Sequence, residues 1–503
     1  MKLNYKKTIL IGLAFFMIES FWQAYDTVIA KVLTDKFGMS QLSSGLLLSF
    51  NNLPALILIP LFGGLSDKCK SKRGRRTPFI LAGTLTAALL FIGLSFTDTI
   101  QASRISDIED IAGNEITAER TEAFGTLYDH DPEVLLSGEG ISSKKLSELY
   151  TREEFVSLSE RKMSTEEAEL VTKARQSYAW DVTKNDLFPL DVFIAFLFLA
   201  LMAMASFRSP AMSLMPDVTV SPLRSAGNSV VNLMGSVGCV CILGIGILLG
   251  TGRPENSLKS TAPLVIATAA VMAAALCIFL VFVKEKKWAE ECSSASLRTE
   301  IGTEAQKDAS GKRKLTKGEF ISLVLILGAT AFRYMGFNAI FTKYAVYSGE
   351  VLSLDYNVTF MIFQIVSASS LIPMGMVSTR IGRKKSILFG TALLGLSMAA
   401  ASFMRSGVDI WVMNVIFALA ALGWSTININ ALPMTVELAG ESYVGRYTGF
   451  FYTASMAAQT FTPVLCGVFL TYVSMTTLFP YAVFFLALSF IAMIFVKHGD
   501  VRG

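Results

Sequence analysis

The sequence predicts an all-α membrane protein in which twelve transmembrane helices form two pseudo-symmetric six-helix bundles, with an insert on the extracytoplasmic side. Three observations predict it. Of 503 residues, 52% are apolar and only 17% charged, with a mean hydropathy of +0.51, whereas soluble domains carry roughly a quarter charged residues. The chain contains twelve mostly apolar stretches, each near the length of about 20 residues that a spanning helix needs. Finally, Gly63-Gly64-Leu65-Ser66-Asp67-Lys68, running on to Arg73-Gly74-Arg75-Arg76, recurs as Gly375-Met376-Val377-Ser378-Thr379-Arg380 followed by Gly382-Arg383-Lys384, an offset of 312 residues. The same offset aligns Ala24-Tyr25-Asp26-Thr27-Val28-Ile29-Ala30-Lys31 with Gly336-Phe337-Asn338-Ala339-Ile340-Phe341-Thr342-Lys343.

The apolar periodicity runs all round each segment, so these are helices and not the roughly ten-residue alternating strands of an outer-membrane barrel. Segment 8–30 has no small-residue cleavage site and holds Glu19 and Asp26 within its apolar run, so it reads as a retained helix and not a signal peptide. Segments 42–65 and 78–97 flank the first Gly/Arg-rich motif. Segments 188–208, 226–250 and 262–283 complete an N-terminal bundle over 1–283. Residues 284–319 mix Lys, Glu, Ser and Gly without apolar periodicity, which predicts a flexible cytoplasmic linker. Segments 320–343, 357–378, 386–404, 410–430, 446–472 and 477–496 form the C-terminal bundle, 320–503.

The repeat also locates the insert. The offset falls from 312 to 222 where Arg224-Ser225-Ala226-Gly227 meets Arg446-Tyr447-Thr448-Gly449, and the 90 missing residues are 98–187. That segment carries 20 of the chain's 40 acids against 10 basic residues, while the whole chain is +4. Its charge favours a loose, solvated decoration; a sharper reading makes it a lid or docking element over the outer mouth. Ser164 followed by Glu167 is a capping box ahead of a helix covering Ala168 to Tyr178.

Orientation follows from the basic residues of the short loops. With a cytoplasmic N-terminus, the inside connections and tails hold 27 Lys and Arg, counting Arg208 and Arg224 as loop residues, and the outside short loops hold 6, counting Lys343 at the end of segment 320–343. Both termini are then cytoplasmic, both Gly/Arg-rich motifs face the cytosol, and the basic face suits the anionic lipid of a plasma (inner) membrane. Nucleic-acid binding is not implied. The six cysteines show neither a disulfide framework nor zinc spacing.

The doubled motif on the cytoplasmic side resembles that of the major facilitator superfamily. The resemblance covers every helix and implies two parallel six-helix halves with substrate bound between them near the midplane. Two features narrow it. The first motif has four residues more than usual between Asp67 and Gly74 and continues into Thr77-Pro78-Phe79-Ile80. Arg208-Ser209-Pro210-Ala211 leads to Pro216-Asp217, Arg224-Ser225-Ala226, Asn228 and Asn232. Both are similar to the sucrose-transporter-like branch of the glycoside and sugar cation symporters, which implies cotransport of a sugar or glycoside with a cation, most often a proton. The sequence departs from that branch in two places: Val192 to Ser206 holds no carboxylate where plant relatives keep one, and Thr379 stands where the first motif has Asp67.

A carboxylate at bilayer depth costs at least a few kcal/mol unless solvated, paired or protonated, so it is functional by default. Glu19 is the first such candidate, and Trp22, Gln23 and Asp26 follow it at helical spacings of three, four and seven, on roughly one face. Glu19 and Asp26 are the candidate coupling-ion groups; neither histidine of the chain lies in a spanning segment. Candidate substrate contacts are Trp22, Gln23, Asn51, Asn52, Asn228, Asn232, Tyr334, Asn338, Gln364, Tyr452 and Gln459, because sugars take amide hydrogen bonds and aromatic contact; the alternative for such residues is helix–helix glue. The repeat sets Glu19 opposite Ala331, so Arg333 is expected to pack or snorkel and not to pair with Glu19.

Gly63, Asp67, Arg73, Gly74, Arg75, Arg76, Gly375, Arg380, Gly382 and Arg383 are the candidate conformational gate. The resemblance implies that Asp67 and Arg75 latch the inner ends of the two halves. No P-loop, HExxH, GxSxG or metal-ligand cluster is visible, so the expectation is a non-enzymatic secondary active transporter without cofactor or metal. It would work as a monomer in the lipid bilayer and import a sugar-like solute with a cation, most often H+. Two alternatives stand beside it: an exporter of drug-like solutes, and a membrane receptor that uses 98–187 to engage a partner.

Overall fold

A computed structural model describes residues 4–49, 52–112, 116–137, 141–161, 163–219, 223–300, 316–438 and 444–498. The N-terminal half begins with α1 (Tyr5–Lys31), whose first turn is capped by the Asn4 side chain, and which ends in a buried π-helical turn, Val32–Lys36. Helices α2 (Gln41–Ser49) and α3 (Asn52–Lys68) occupy the second expected span, with Asn51 lying outside the described residues. Helix α4 (Thr77–Arg104) then runs back toward the insert.

The insert is folded, contrary to the loose structure its charge suggested. It comprises α5 (Ala118–His130), a hairpin of β1 (Glu133–Ser137) and β2 (Ile141–Lys145), two short helices α6 (Leu146–Leu149) and α7 (Arg152–Ser157), and α8 (Thr165–Asn185). A separate core explains why. Phe124, Leu127, Leu146, Phe155 and Leu158 are at most 1% exposed and are joined by Val171 and Ala179 of α8; each large apolar side chain so buried contributes roughly 1.5–3 kcal/mol. Composition averaged over 90 residues hides this set. The capping box read from the sequence is present: Ser164 accepts from the Glu167 N–H, and the Glu167 carboxylate accepts from the Ser164 N–H.

Helix α9 (Phe188–Val218) continues past the expected boundary at 208, through Pro210 and Pro216, so Arg208 lies within a helix and not in a loop. Helices α10 (Arg224–Leu249) and α11 (Ala262–Phe282) complete the half. The linker is not uniformly irregular: its first part is α12 (Glu285–Glu300), which packs on α9 and places Lys7 over the Trp288 ring.

The C-terminal half repeats the plan. It contains α13 (Lys317–Tyr347), again ending in a π-helical turn at Ser348–Leu352, then α14 (Tyr356–Ile381), α15 (Arg383–Ser402), α16 (Ile410–Glu437), α17 (Val444–Tyr472) and α18 (Leu478–Phe495). Among the described residues, eleven helices are long and apolar enough to cross a membrane, and α2 with α3 supplies the remaining expected segment. Within the halves α1 packs on α10, α4 on α9, α13 on α18 and α15 on α16; between them α2 meets α17, α10 meets α14 and α1 meets α13. Leu89, Phe96, Val281, Leu396 and Phe495 are exposed on the outer surface of this bundle, as lipid-facing side chains must be.

The insert is tied to both halves. The Gln101 side chain donates to the Lys36 carbonyl and to Thr183, and Thr183 donates to the Phe37 carbonyl. Gly38 adopts φ +68°, and a Cβ there would stand 2.2 Å from the Trp180 nitrogen, so only glycine lets α8 lie this close. From the same helix Arg175 reaches Asp35 of the first π turn at 3.7 Å, and Gln176 donates to Glu350 of the second at 2.9 Å. One helix thus bridges two repeat-related turns.

Candidate functional site

From Met17 to Val28 of α1, only Glu19, Trp22 and Asp26 are partly exposed; every other position is buried. This is the face that the three- and four-residue spacing marks out. Neighbouring α9, α10, α11 and α13 surround the helix, so the exposure is to an internal cleft. Glu19 lies against α10, its Cγ 2.8 Å from where a Cβ on Gly235 would sit, and its backbone carbonyl accepts from Cys239 at 3.7 Å. Among the described residues neither Glu19 nor Asp26 has an ion-pair or hydrogen-bond partner for its carboxylate. Gln23 departs from the cleft-facing set: it is 4% exposed, with its Oε1 3.4 Å from the Gln364 Nε2 donor of the opposite half.

The signal missed in the sequence is Arg208. Counting it as a loop cation hid it, whereas the longer α9 carries its guanidinium 5.8 Å over the Trp22 ring, and its charge acts on Glu19. An arginine within helical reach of an apolar segment's end was the available clue.

In the other half, Tyr334 meets Trp424 edge-on at 5.5 Å, and Phe337 stacks on Trp424 at 3.4 Å. Arg333 does not pair with Glu19, as expected, but it does not snorkel either. It is 2% exposed, held 5.3 Å over Tyr334 and 6.0 Å over Trp424, with Nε and Nη2 lacking hydrogen-bond partners. Asn338 and Gln459 are brought together, the Asn338 amide donating to the Gln459 carbonyl at 3.4 Å. Gln459 donates to Ser455, and Ser455 to the carbonyl of Tyr452, which is half-exposed. Asn228 and Asn232 are exposed on one face of α10, Asn232 donating to the Asn228 carbonyl. The side chain of Asn52, like Asn51, lies outside the described set.

The two halves are closed against each other on the side that carries the insert, the expected outer side. Lys343, fully buried, donates from Nζ to the Gln41 carbonyl, the Gln41 Oε1 and the Ser44 hydroxyl at 3.2, 2.9 and 2.8 Å. Its repeat partner Lys31 lies 5.2 Å over the Tyr356 ring, and Tyr356 is the repeat partner of Ser44. Each half's first helix therefore sends a lysine to the start of the other half's second helix. Tyr356 and Asn357 also donate to Thr251, and the Leu42 N–H donates to Thr471. Among the described residues, every polar contact between halves lies at the level of Gln23–Gln364 or further out.

The Gly/Arg-rich motifs, by contrast, are paired within their own halves. Arg76, 4% exposed, donates to Asp67 at 2.5 Å and to Asp217 at 2.8 Å, and also to the Ser66 hydroxyl; Arg75 takes Asp217 in a bidentate grip at 2.7 and 3.2 Å. These contacts hold the Arg76 guanidinium pKa above its ordinary value despite partial burial. Asp67 thus meets Arg76 and not Arg75, and no latch to the C-terminal half forms among the described residues. Glu285 accepts from the Arg76 and Thr77 N–H groups and the Thr77 hydroxyl, each within 2.8 Å, placing a negative charge on the α4 N-terminus. Gly74 makes room for it with φ +121°, and Gly63 faces Ser209. In the second motif Arg383 pairs with Glu437, Gly382 turns at φ +91°, Gly375 lies near Ile429, and Arg73 and Arg380 are exposed.

Residues 326–502 match the family model described as Major Facilitator Superfamily, and residues 10–107 match the one described as MFS/sugar transport protein. Among solved structures the chain is similar to the inward open conformation of the xylose transporter XylE from E. coli, with 11% identity, TM-score 0.58, and coverage of 99% of this chain and 98% of that one. It is similar also to a D-xylose-proton symporter, at 11% identity, TM-score 0.57 and 99% coverage of both chains. A nucleoside transporter, NupG, matches at 12% identity and TM-score 0.53, covering 97% and 100%. At such identities the likeness is one of fold. No curated protein matches the chain in sequence.

Proposed function

We propose that the chain is a transporter of the major facilitator superfamily, a reading supported by the two family models matched over 326–502 and 10–107, and that it imports a sugar or glycoside in symport with a proton across the plasma (inner) membrane, as a monomer with both termini in the cytoplasm. The observation that carries this reading is the Glu19–Trp22–Asp26 face: two unpaired carboxylates and an aromatic ring are the only accessible positions in the middle of an otherwise buried helix. A sugar takes ring contact from Trp22, donates hydroxyl hydrogen bonds to the carboxylates, and hydrogen-bonds with the amides of Gln364 and Asn338. Glu19 and Asp26 are the groups whose proton occupancy changes between the two open states, because an unpaired carboxylate is tolerated in a closed, water-poor site only when neutral.

The outer lysine pair is one closure of the alternating cycle, and the two Gly/Arg-rich motifs, each paired within its own half here, supply the other. In the conformation described here the outer one is made, and its rupture, together with a contact between the two cytoplasmic motifs, completes the cycle. Neighbours of the same fold include a D-xylose-proton symporter, which supports the class without naming the sugar. The test is counterflow and pH-gradient-driven uptake in proteoliposomes across a panel of glycosides. Glu19→Gln abolishes uphill accumulation and leaves exchange partly intact; undiminished gradient-driven uptake by that variant refutes the coupling role.

A further inference from the structure

A second cavity, of about 520 Å³, lies outside the membrane-spanning bundle where three bodies meet. The insert contributes Arg120, Arg161 and Arg175; Lys31 and Asp35 come from the N-terminal half and Glu350 from the C-terminal half. Its volume falls within the roughly 300–1,000 Å³ of small-molecule sites. It is separate from the Glu19–Trp22 face, none of whose residues line it.

The charge in this cavity runs against the composition of the insert. A segment with 20 acids and 10 bases turns three of its arginines inward and none of its own acids. Arg161 is satisfied by Glu167, at 2.5 and 2.9 Å. Arg175, 5% exposed, spends one nitrogen on Ser257 at 3.3 Å and another on Asp35 at 3.7 Å, leaving Nε without a partner. Arg120 is 3% exposed and makes no ion pair or side-chain hydrogen bond among the described residues; its guanidinium rests 5.5 Å over the Phe124 ring. A buried, unpaired guanidinium is costly, and none of the described residues offsets it.

We propose that this cavity binds a small hydroxylated organic acid, its carboxylate held by Arg120 and Arg175. The charge count points to a monoanion. With Arg161 neutralised by Glu167, which is not among the lining residues, Lys31, Arg120 and Arg175 face Asp35 and Glu350, leaving one positive charge unmatched among the described residues. The two acids accept ligand hydroxyls and oppose a more highly charged anion. Ser257, Ser353 and Ser406 add hydroxyl contacts. Because the walls belong to both halves and to the insert, the complete site exists only while the outer side is closed, so the ligand favours that state by its differential affinity.

The experiment is isothermal titration of sodium glucuronate into the full-length protein in nanodiscs, with glucose and inorganic phosphate as comparison probes at constant ionic strength. Saturable binding of one glucuronate is expected, weakened at least tenfold by Arg120→Gln, partly restored by Arg120→Lys, and lost in Ser406→Trp, which fills the mouth from an exposed position and leaves the arginines in place. Glucuronate binding that survives both Arg120→Gln and Ser406→Trp is binding elsewhere and overturns the assignment. So does the absence of saturable binding to the parent protein. Phosphate binding with the same Arg120 dependence but no glucuronate binding overturns the carboxylate class. Should Arg120→Gln fail to fold, Ser406→Trp alone decides.

Discussion

Substituting Gly45 by alanine should open the outer side of the molecule. Gly45 of α2 faces α17 of the other half so closely that a Cβ there would stand 2.2 Å from the Pro463 carbonyl oxygen and 2.8 Å from its carbon. From the other direction, a Cβ on Gly467 would stand 2.5 Å from the Gln41 carbonyl oxygen. The obstacle is backbone, which cannot rotate away. Restoring ordinary contact, which begins at 3.4 Å, requires the helices to part by at least about 1.2 Å at the 2.2 Å approach. Overpacking of this kind costs about 1–3 kcal/mol, and the cost falls only on the closed state, because the contact joins the two halves. The equilibrium therefore moves by roughly 5- to 150-fold toward the outward-open state. The assay is double electron–electron resonance between nitroxides at Lys259 and Asp409, exposed on the outer side of opposite halves, in a cysteine-free background. A longer-distance population should grow in Gly45→Ala. It should not grow in Gly328→Ala, where nothing lies within 4 Å of the added atom. An unchanged distance distribution in Gly45→Ala refutes the reasoning.

Three further outcomes are expected. Lys343→Met removes three hydrogen bonds across the outer closure, each charge-assisted bond contributing about 1.5–3 kcal/mol, and should make a cysteine at Ser44 reactive to a membrane-impermeant maleimide added from outside. Asp98 accepts from Lys36 at 2.5 Å and from the Ser260 and Thr261 hydroxyls and the Thr261 N–H, all in a buried site. Asp98→Asn leaves the ammonium uncompensated and should cost about 3–5 kcal/mol, read as a lowered melting temperature in nanodiscs. Glu167 has its pKa pulled from 4.5 to about 2, first by its hydrogen bonds from Arg161. A depressed carboxylate stabilises fully above its ordinary value and loses that contribution as pH falls through its folded one. The stability difference between the parent and Glu167→Gln, followed by Trp180 emission, should be constant above about pH 4.5 and vanish near pH 2.

Several features of the site were legible because they are periodic. The spacing of Glu19, Trp22 and Asp26 identified the accessible face of α1, since a helix repeats every 3.6 residues wherever it is placed. Gln23, within the same stretch, was assigned to the cleft but is buried against Gln364; one position along a helix turns about 100°, and which residue sits at the margin is decided by the neighbour. The 312-residue offset already aligned Lys31 with Lys343, yet the topology count treated both as loop cations. Their burial depends on how far α1 and α13 extend beyond the apolar run. The insert was misread for a different reason. Its apolar residues are few but converge on one point, and averaging over 90 residues removes that information.

The sequence by itself determined that the chain spans the membrane and that it is built from two related halves, and it set an expectation for which side its Gly/Arg-rich motifs face. Hydropathy, repetition and loop charge act locally and need no knowledge of partners. Only the tertiary structure decided who pairs with whom: Asp67 with Arg76, Lys343 with Gln41 and Ser44, and Gln176 with Glu350. It also decided that α8 lies across both π turns, and that two arginines of an acidic insert are buried facing a cavity. Those outcomes depend on the angles and depths at which distant helices meet, and segments up to 302 residues apart carry no local signal of the side chain each will find.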